Sequence, residues 1–380
     1  MKPLLSIAIA TKNREIYCIE VIKSILDWND SRVEICISDN SSTKKIYEFL
    51  SFTDQANIRY DYTNDAISSI DNFNRALDLA TGEYICLLGD DDGVLPEVLK
   101  YLEWAKENNI DSFCSKEAIP YFWPGAHPDF PNGGMFVKKH KDGIRKVDAK
   151  KELIKLLKNG IVNYMFFDLP KSYHGFVKRD IMLKIKDITG NFYGGLSPDI
   201  FSVVAISLLS KNHYTVDKPL TIGGVCRQST TADQISGAHC GPLEKMPHLQ
   251  NRKIPYQWDK DVPEFYSVTT TWGDSGLNSI GAMNKSEYRK YFNIYPLLAQ
   301  AILMNRNQIF KLMMDKVEEL RVRKKIGKIK FWTNMTWAVG MLCMEKSNRI
   351  LKDKIINKNV QIQDVKDIHD AIGIYTNKTK

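Results

Sequence analysis

No two of the seven cysteines are spaced as Cys-x-x-Cys, and their number is odd. A disulfide framework and a structural zinc site are therefore not expected, whereas a reducing compartment is. No apolar run reaches the roughly 20 residues that a bilayer-spanning helix needs. Met1-Lys2-Pro3 leads straight into a strand-like run, so no signal peptide is expected and the expected location is the cytoplasm. Internal repeats and low-complexity tracts are also lacking. The main body has no surplus of either charge: the net +8 of the 380 residues comes from residues 300–380, which hold 17 Lys and Arg against 8 Asp and Glu. That excludes the body as a general polyanion binder, and no nucleic-acid partner is expected. Hydrophobic residues at 43% and charged residues at 26% exclude global disorder, and the length suits one large domain with an appendage or two domains.

What is present is an alternation of short apolar runs with amphipathic stretches, the pattern of βαβ units around a mostly parallel sheet. Strands are expected at 4–10, 33–37, 58–62 and 84–89. Helices are expected where Ile16, Ile19, Ile22, Ile25 and Leu26 recur, and where Ile70, Phe73, Ala76, Leu77 and Ala80 recur. Gly82 reads as a left-handed cap of the second helix, and Pro96 as the opening of another. Residues 119–142, rich in Pro, Gly, His and aromatics, read as a long loop region. Further on, a helix is expected at 151–157, a strand at 174–177 and a helix after Arg179. Gly194-Gly195-Leu196-Ser197-Pro198-Asp199 is a turn into an apolar helix at 200–209. Residues 226–284 show little periodicity and read as a loop-rich cover. From Tyr295 the pattern is helical and basic. The expected units are 1–225, a nucleotide-binding and catalytic domain; 226–294, a loop-rich acceptor or lid region; and 295–380, a helical basic extension.

The chemistry concentrates at Asp90-Asp91-Asp92, directly after the apolar run Tyr84–Gly89. Carboxylates at the carboxyl end of a buried strand sit where open α/β sheets bind ligands. Three adjacent acids repel one another and call for a balancing cation, commonly a hard divalent ion shared with substrate phosphates. The plainer reading is an acidic turn. Against it, Thr11, Asn13 and Arg14 follow strand one and Asp39 follows strand two, and all should converge on the same sheet edge.

Four blocks in this order resemble the family 2 glycosyltransferases, which have the nucleotide-sugar-binding fold called GT-A: Thr11-Lys12-Asn13-Arg14, Ser38-Asp39-Asn40-Ser41-Ser42, 74–84 from Asn74 to Tyr84, and Leu87 to Asp92. The likeness covers about the first 225 residues. It implies an inverting transfer of a sugar from a nucleotide-diphosphate donor, UDP-linked by preference, to a glycan or lipid-linked acceptor in bacterial surface-polysaccharide synthesis. Thr11, Asn13, Arg14, Asp39, Asn74 and Asp90 would bind the nucleotide sugar, with Asp39 on the base imide and Asp90 on the ribose. Asp91 and Asp92 would hold Mn²⁺ or Mg²⁺, and Asp199 would be the catalytic base. As a mere helix-start carboxylate, Asp199 would contribute only ~0.3–1 kcal/mol. Many members carry Asp where Gly89 stands, which leaves open how the three acids divide the work.

Weaker candidates are His239, His248 and Arg227 for the metal or diphosphate, and Trp123, Trp258 and Trp272 for stacking on sugars or, more commonly, for core packing. A metal-dependent nucleotidyltransferase would prefer a glycine-rich loop after strand one, and Thr11-Lys12-Asn13-Arg14 has none. A non-catalytic nucleotide-sugar-binding scaffold is the other alternative. The basic segment 321–344 suits either a helix lying on the anionic inner face of a membrane or one packed on protein.

Overall fold

The computed structural model describes residues 2–53, 56–140, 142–229, 240–246, 249, 256–355 and 360–379. Candidates His239 and His248 lie outside the described residues. The chain opens with β1 (Leu5–Thr11), α1 (Glu15–Leu26), β2 (Val33–Asp39), α2 (Lys45–Leu50), β3 (Ile58–Tyr62), α3 (Ser69–Asp78) and β4 (Tyr84–Leu88). These four strands pair in parallel in the order β3-β2-β1-β4, with Thr11 opposite Asp39 and Ile9 opposite Leu88. Both faces of the sheet are covered: Ile7, Ile9, Cys86 and Leu88 point into one core, and Ala8, Cys36, Ile85 and Leu87 into another. Two-sided burial explains why these strands read as continuous apolar runs rather than as alternating ones.

Next come β5 (Gly93–Val94), α4 (Val98–Glu107), β6 (Ser112–Ser115), β7 (Ile119–Phe122), β8 (Gly134–Val137), β9 (Ile144–Val147) and α5 (Ala149–Lys158). They are followed by β10 (Gly175–Lys178), α6 (Arg179–Thr189), α7 (Pro198–Leu209), β11 (His213–Val216) and β12 (Thr221–Val225). Strands β10, β6, β11 and β9 extend the first sheet to eight strands, with β10 antiparallel to both neighbours. A second sheet runs β13-β8-β7-β12-β5, where β13 is Val360–Gln363. The chain is completed by α8 (Val268–Ala282), α9 (Ile294–Arg323, interrupted by non-helical Ile309), α10 (Lys328–Ile355) and α11 (Ile368–Thr379). The α/β class and the helical carboxyl-terminal extension are as expected. The extension also returns to the body, since Ile368, Ala371 and Tyr375 of α11 enter the same core as Ile22 and Val94.

Several expectations fail, each for a physical reason. The presumed loop region 119–142 contains β7 and β8. Each strand is four residues long; β7 and β8 pair antiparallel across residues 123–133, while their outer partners β12 and β13 are distant in sequence, so periodicity does not reveal the strands. Within the presumed loops at 226–284, α8 is a 15-residue helix rich in Thr, Ser and Gly, poor helix formers. It is buried nearly all round, and a capping box of Ser267 and Thr270 starts it. Gly82 is not a left-handed cap, because α3 ends at Asp78 and Gly82 keeps an ordinary φ. A Cβ there would lie 2.6 Å from Ser6 Oγ, so close backbone approach demands glycine. Pro96 precedes the first residue of α4 by two positions.

Gly82 belongs to a latch at the sheet edge opposite the Asp cluster. The buried Glu34 carboxylate accepts hydrogen bonds from Ser6 Oγ (2.6 Å), Thr81 N (2.6 Å) and Gly82 N (3.0 Å), and from Arg59 Nε (2.8 Å). Burial alone would raise its pKa, but these donors outweigh that and hold it below the usual carboxylate value. The latch therefore contributes stability above pH ~4 that is lost as pH falls through the folded pKa. Glu34→Ala should cost about 3–5 kcal/mol in urea unfolding by stranding buried donors. A loss under about 1 kcal/mol would mean that the latch does not hold β1, β2 and the 81–82 turn together.

Candidate active site

The carboxyl ends of β1, β2 and β4 do converge. Arg14, at the start of α1, reaches back with Nη2 to 3.1 Å from Asp90 Oδ1 and 2.6 Å from Asp91 Oδ2. Asp90 Oδ2 also accepts a hydrogen bond from Thr11 Oγ1 (2.7 Å), and Asp91 Oδ2 one from Cys226 N (3.2 Å). Both carboxyls are pushed above the usual range. Burial is the main cause for each, and for Asp91 the adjacent Asp92 and Asp90 charges add to it. Arg14 is the balancing cation on the protein side.

Asp92 behaves differently. Its Oδ1 takes Gly224 N (2.8 Å), and its Oδ2 takes Gly89 N (2.8 Å) and the Tyr173 hydroxyl (2.7 Å), with His174 Nε2 at 3.2 Å. Burial would raise its pKa, yet His174 and these donors hold it below the ordinary value. Asp92 is thus a bracket joining β4, the 173–174 turn and β12. Gly89 is part of the same bracket, since a Cβ there would meet Asp92 Oδ2 at 2.5 Å and Asp91 Oδ1 at 3.2 Å. An Asp at position 89 could not coexist with this arrangement.

The other expected site residues take distinct places. Asn13 (φ 55°) accepts Ser42 N at 2.8 Å through Oδ1, tying the loops after β1 and β2 together. Asp39 is fully buried, accepting Ser41 N and the Tyr60 hydroxyl, each at 2.9 Å. Asn74 does not join the carboxylates: its amide donates to Ile70 O and Tyr193 O and accepts Tyr193 N (2.9 Å). Trp123 is buried and donates through Nε1 to Asp91 O (2.8 Å), which is the core-anchoring role. Trp272 packs edge-on against Tyr164 at 5.1 Å, and Trp258 packs on the same core. Arg227 donates to Gly125 O (2.9 Å).

Asp199 stands in the first turn of α7, where the helix dipole favours a carboxylate. The Tyr164 hydroxyl donates to its Oδ2 at 3.4 Å. Burial pushes its pKa up to about 6, opposed by His174 and the Tyr164 bond. His174 therefore acts on Asp92 and Asp199 together, linking the strand-end acids to the helix-start acid. Sequence reasoning assigned His174 to a strand. The strand starts at Gly175, and His174 has a left-handed φ of 55°. Tyr164, Tyr173 and His174 carry no motif, so only their placement identifies them.

Two contacts hold the turn before Asp199. Asn74 grips the Tyr193 backbone, and Ser275 Oγ of α8 accepts Leu196 N and Ser197 N, each at 3.0 Å. Ser275→Ala should therefore cost about 1–3 kcal/mol by leaving two amides unpaired, and it should lower turnover more than donor affinity. Equal losses in both would show that the turn does not position Asp199.

A divalent ion fits this site in a limited way. Among the described residues no cluster of three or more His, Cys, Asp or Glu could hold a metal by itself. Asp91 Oδ1 takes no hydrogen bond among the described residues, and of the three strand-end acids Asp91 is pushed up furthest, to about 7, by burial and by the adjacent Asp92 and Asp90 charges. A hard cation needing one protein carboxylate, with water and phosphate oxygens for the rest, suits that atom. Asp92, with both oxygens spent, does not suit the metal role expected for it.

Residues 6–121 match the family described as Glycosyl transferase family 2. The chain is 33% identical over 103 residues (26% of this chain, 33% of the relative) to the GalNAc(5)-diNAcBac-PP-undecaprenol beta-1,3-glucosyltransferase of Campylobacter jejuni. It is 30% identical over 120 residues (30% of this chain, 36% of the relative) to abequosyltransferase RfbV of Salmonella typhimurium. The chain spans half or less of the length of the curated relatives it matches. Among solved structures, S. aureus TarS 1–349 is similar with a TM-score of 0.46 and 14% identity, covering 91% of this chain and 92% of that one. The match over the first sheet and the Asp cluster makes residues 6–121 similar to glycosyl transferase family 2.

Proposed function

We propose that this protein is an inverting glycosyltransferase moving a sugar from a nucleotide-diphosphate donor, UDP-linked by preference, to a hydroxyl of a glycan or lipid-linked acceptor in bacterial surface-polysaccharide synthesis, working at the cytoplasmic side. The observation that carries the reading is the pairing of two acidic groups with opposite duties: Asp90 and Asp91 beside Arg14, and Asp199 at the start of α7, with His174 between them. The names of the Campylobacter and Salmonella relatives agree with glycosyl transfer and differ in the sugar.

The donor nucleotide would lie along the carboxyl ends of β1 and β2, its base imide toward Asp39 and its ribose toward Asp90. Arg14 suits the diphosphate through its fork of donors. Mn²⁺ or Mg²⁺ on Asp91 would supply charge against the leaving diphosphate. Asp199 takes the proton of the acceptor hydroxyl as the oxygen bonds to the anomeric carbon. The bond from that carbon to the diphosphate oxygen breaks, and its electron pair leaves with the nucleotide diphosphate. A base with a pKa of about 6 is mostly ionised at neutral pH and still accepts a proton readily.

The test is a screen of UDP-, GDP-, dTDP- and CMP-sugars with Mn²⁺, reading thermal shift and donor hydrolysis together. One UDP-sugar should stabilise the protein in a metal-dependent way that Asp91→Ala abolishes. Stabilisation by none would overturn the reading. Asp199→Asn should lower transfer ~10²–10⁴-fold with donor binding retained, and wild-type kcat/KM should fall below pH about 6. Retained transfer in that variant would remove Asp199 from the chemistry. Because the folded pKa of Asp199 is raised, its contribution to stability declines as pH rises from ~4 through about 6. Asp199→Asn should therefore unfold at a higher temperature than wild type at pH 8, and at a similar one near pH 4.

A further inference from the structure

Helix α10 packs one side against α9, burying Phe331, Met335, Ala338 and Leu342. Its other side is apolar and open. Ile329 (86% exposed), Trp332, Trp337 (60%), Met341, Met344 (62%) and Leu351 fall on that side at helical spacing. Between them lie small or uncharged residues: Thr333, Thr336, Gly340 and Ser347. Lys328 and Lys346 lie along the Trp332 edge, Lys330 falls between Trp337 and Met341, and Glu345 lies just past the Met341 edge. From 321 to 344 the chain has six basic residues and no acidic one. Among the described residues no helix is long and apolar enough to cross a membrane.

We infer that this side of α10 docks in the plane of an anionic lipid bilayer. A helix with an apolar side, aromatic residues and a lysine margin lies in the interface rather than across it. The aromatics sit at headgroup level and the lysines reach anionic headgroups. A second copy of the chain is a poorer occupant, because an antiparallel two-fold pairing would set Lys328 and Lys346 of one copy against the same lysines of the other.

On its packed side α10 also touches the segment that carries Tyr164. Arg349 of α10 lies 4.2 Å from the ring centroid of Phe166, and Phe166 and Met165 are themselves exposed. Their neighbour Tyr164 is the residue bonded to Asp199. The membrane surface stands independently of the glycosyltransferase reading.

The experiment is flotation of the full chain with vesicles of phosphatidylglycerol and phosphatidylcholine and with vesicles of phosphatidylcholine alone, at low and high salt. Binding should be confined to the anionic vesicles and weaken with salt. Lys328→Gln, Lys330→Gln and Lys346→Gln together should weaken it by roughly a hundredfold. The double variant Trp332→Ser, Trp337→Ser should lose binding while keeping its thermal unfolding and its donor hydrolysis. Failure to bind anionic vesicles, binding indifferent to these substitutions, or self-association through the same residues without vesicle binding would each overturn the inference. Donor hydrolysis is read in the same samples, so a failed membrane role and a failed enzymatic role give different results.

Discussion

Negative charge crowded at one edge of a sheet is the constraint on which this molecule turns. Asp90, Asp91 and Asp92 are all buried at the end of β4, and Asp199 faces them from the start of α7. Burial of a carboxylate is tolerated only with compensation, and the structure divides that compensation unequally. Asp92 receives so many donors that it stays ionised and serves as a bracket, while Asp90 and Asp91 share Arg14 and remain undercompensated. The undercompensated positions are where an external cation or a proton gains most, and that is what makes the edge chemically useful.

The geometry around Asp199 depends on contacts far apart in the chain. Asn74 comes from the first ninety residues and Ser275 from a helix nearly two hundred residues later, and together they grip the same short turn. Tyr164 and His174 approach from two further turns. In the proposed function the amino-terminal sheet would serve the donor and the later elements packed on it the acceptor. Helices α9 and α10 continue from there, and the side of α10 turned away from α9 is apolar and open.

The sheet, the Asp cluster and Arg14 were legible in the sequence because each follows from local pattern, whereas Asp199 entered through the family resemblance. Two-sided burial writes strands as apolar runs, and residues at the carboxyl ends of parallel strands must meet at one edge. Asn74 was legible as part of a motif but not in its role, since nothing local says that its amide is spent on the Tyr193 backbone. Helix α8 was illegible because its residues are poor helix formers, and β7 and β8 because each is only four residues long and their outer partners β12 and β13 lie far along the chain.

By itself, then, the sequence determined the α/β architecture, the edge where chemistry gathers and the acids that gather there. These depend on periodicity, strand direction and residue type, which are properties of short segments. Only the tertiary structure decided that Asp92 is a bracket, that Asp91 keeps an oxygen open and that His174 joins two acids. The same holds for the open side of α10. Each of these is a matter of which donor or surface stands within a few ångströms, and that depends on how distant segments pack.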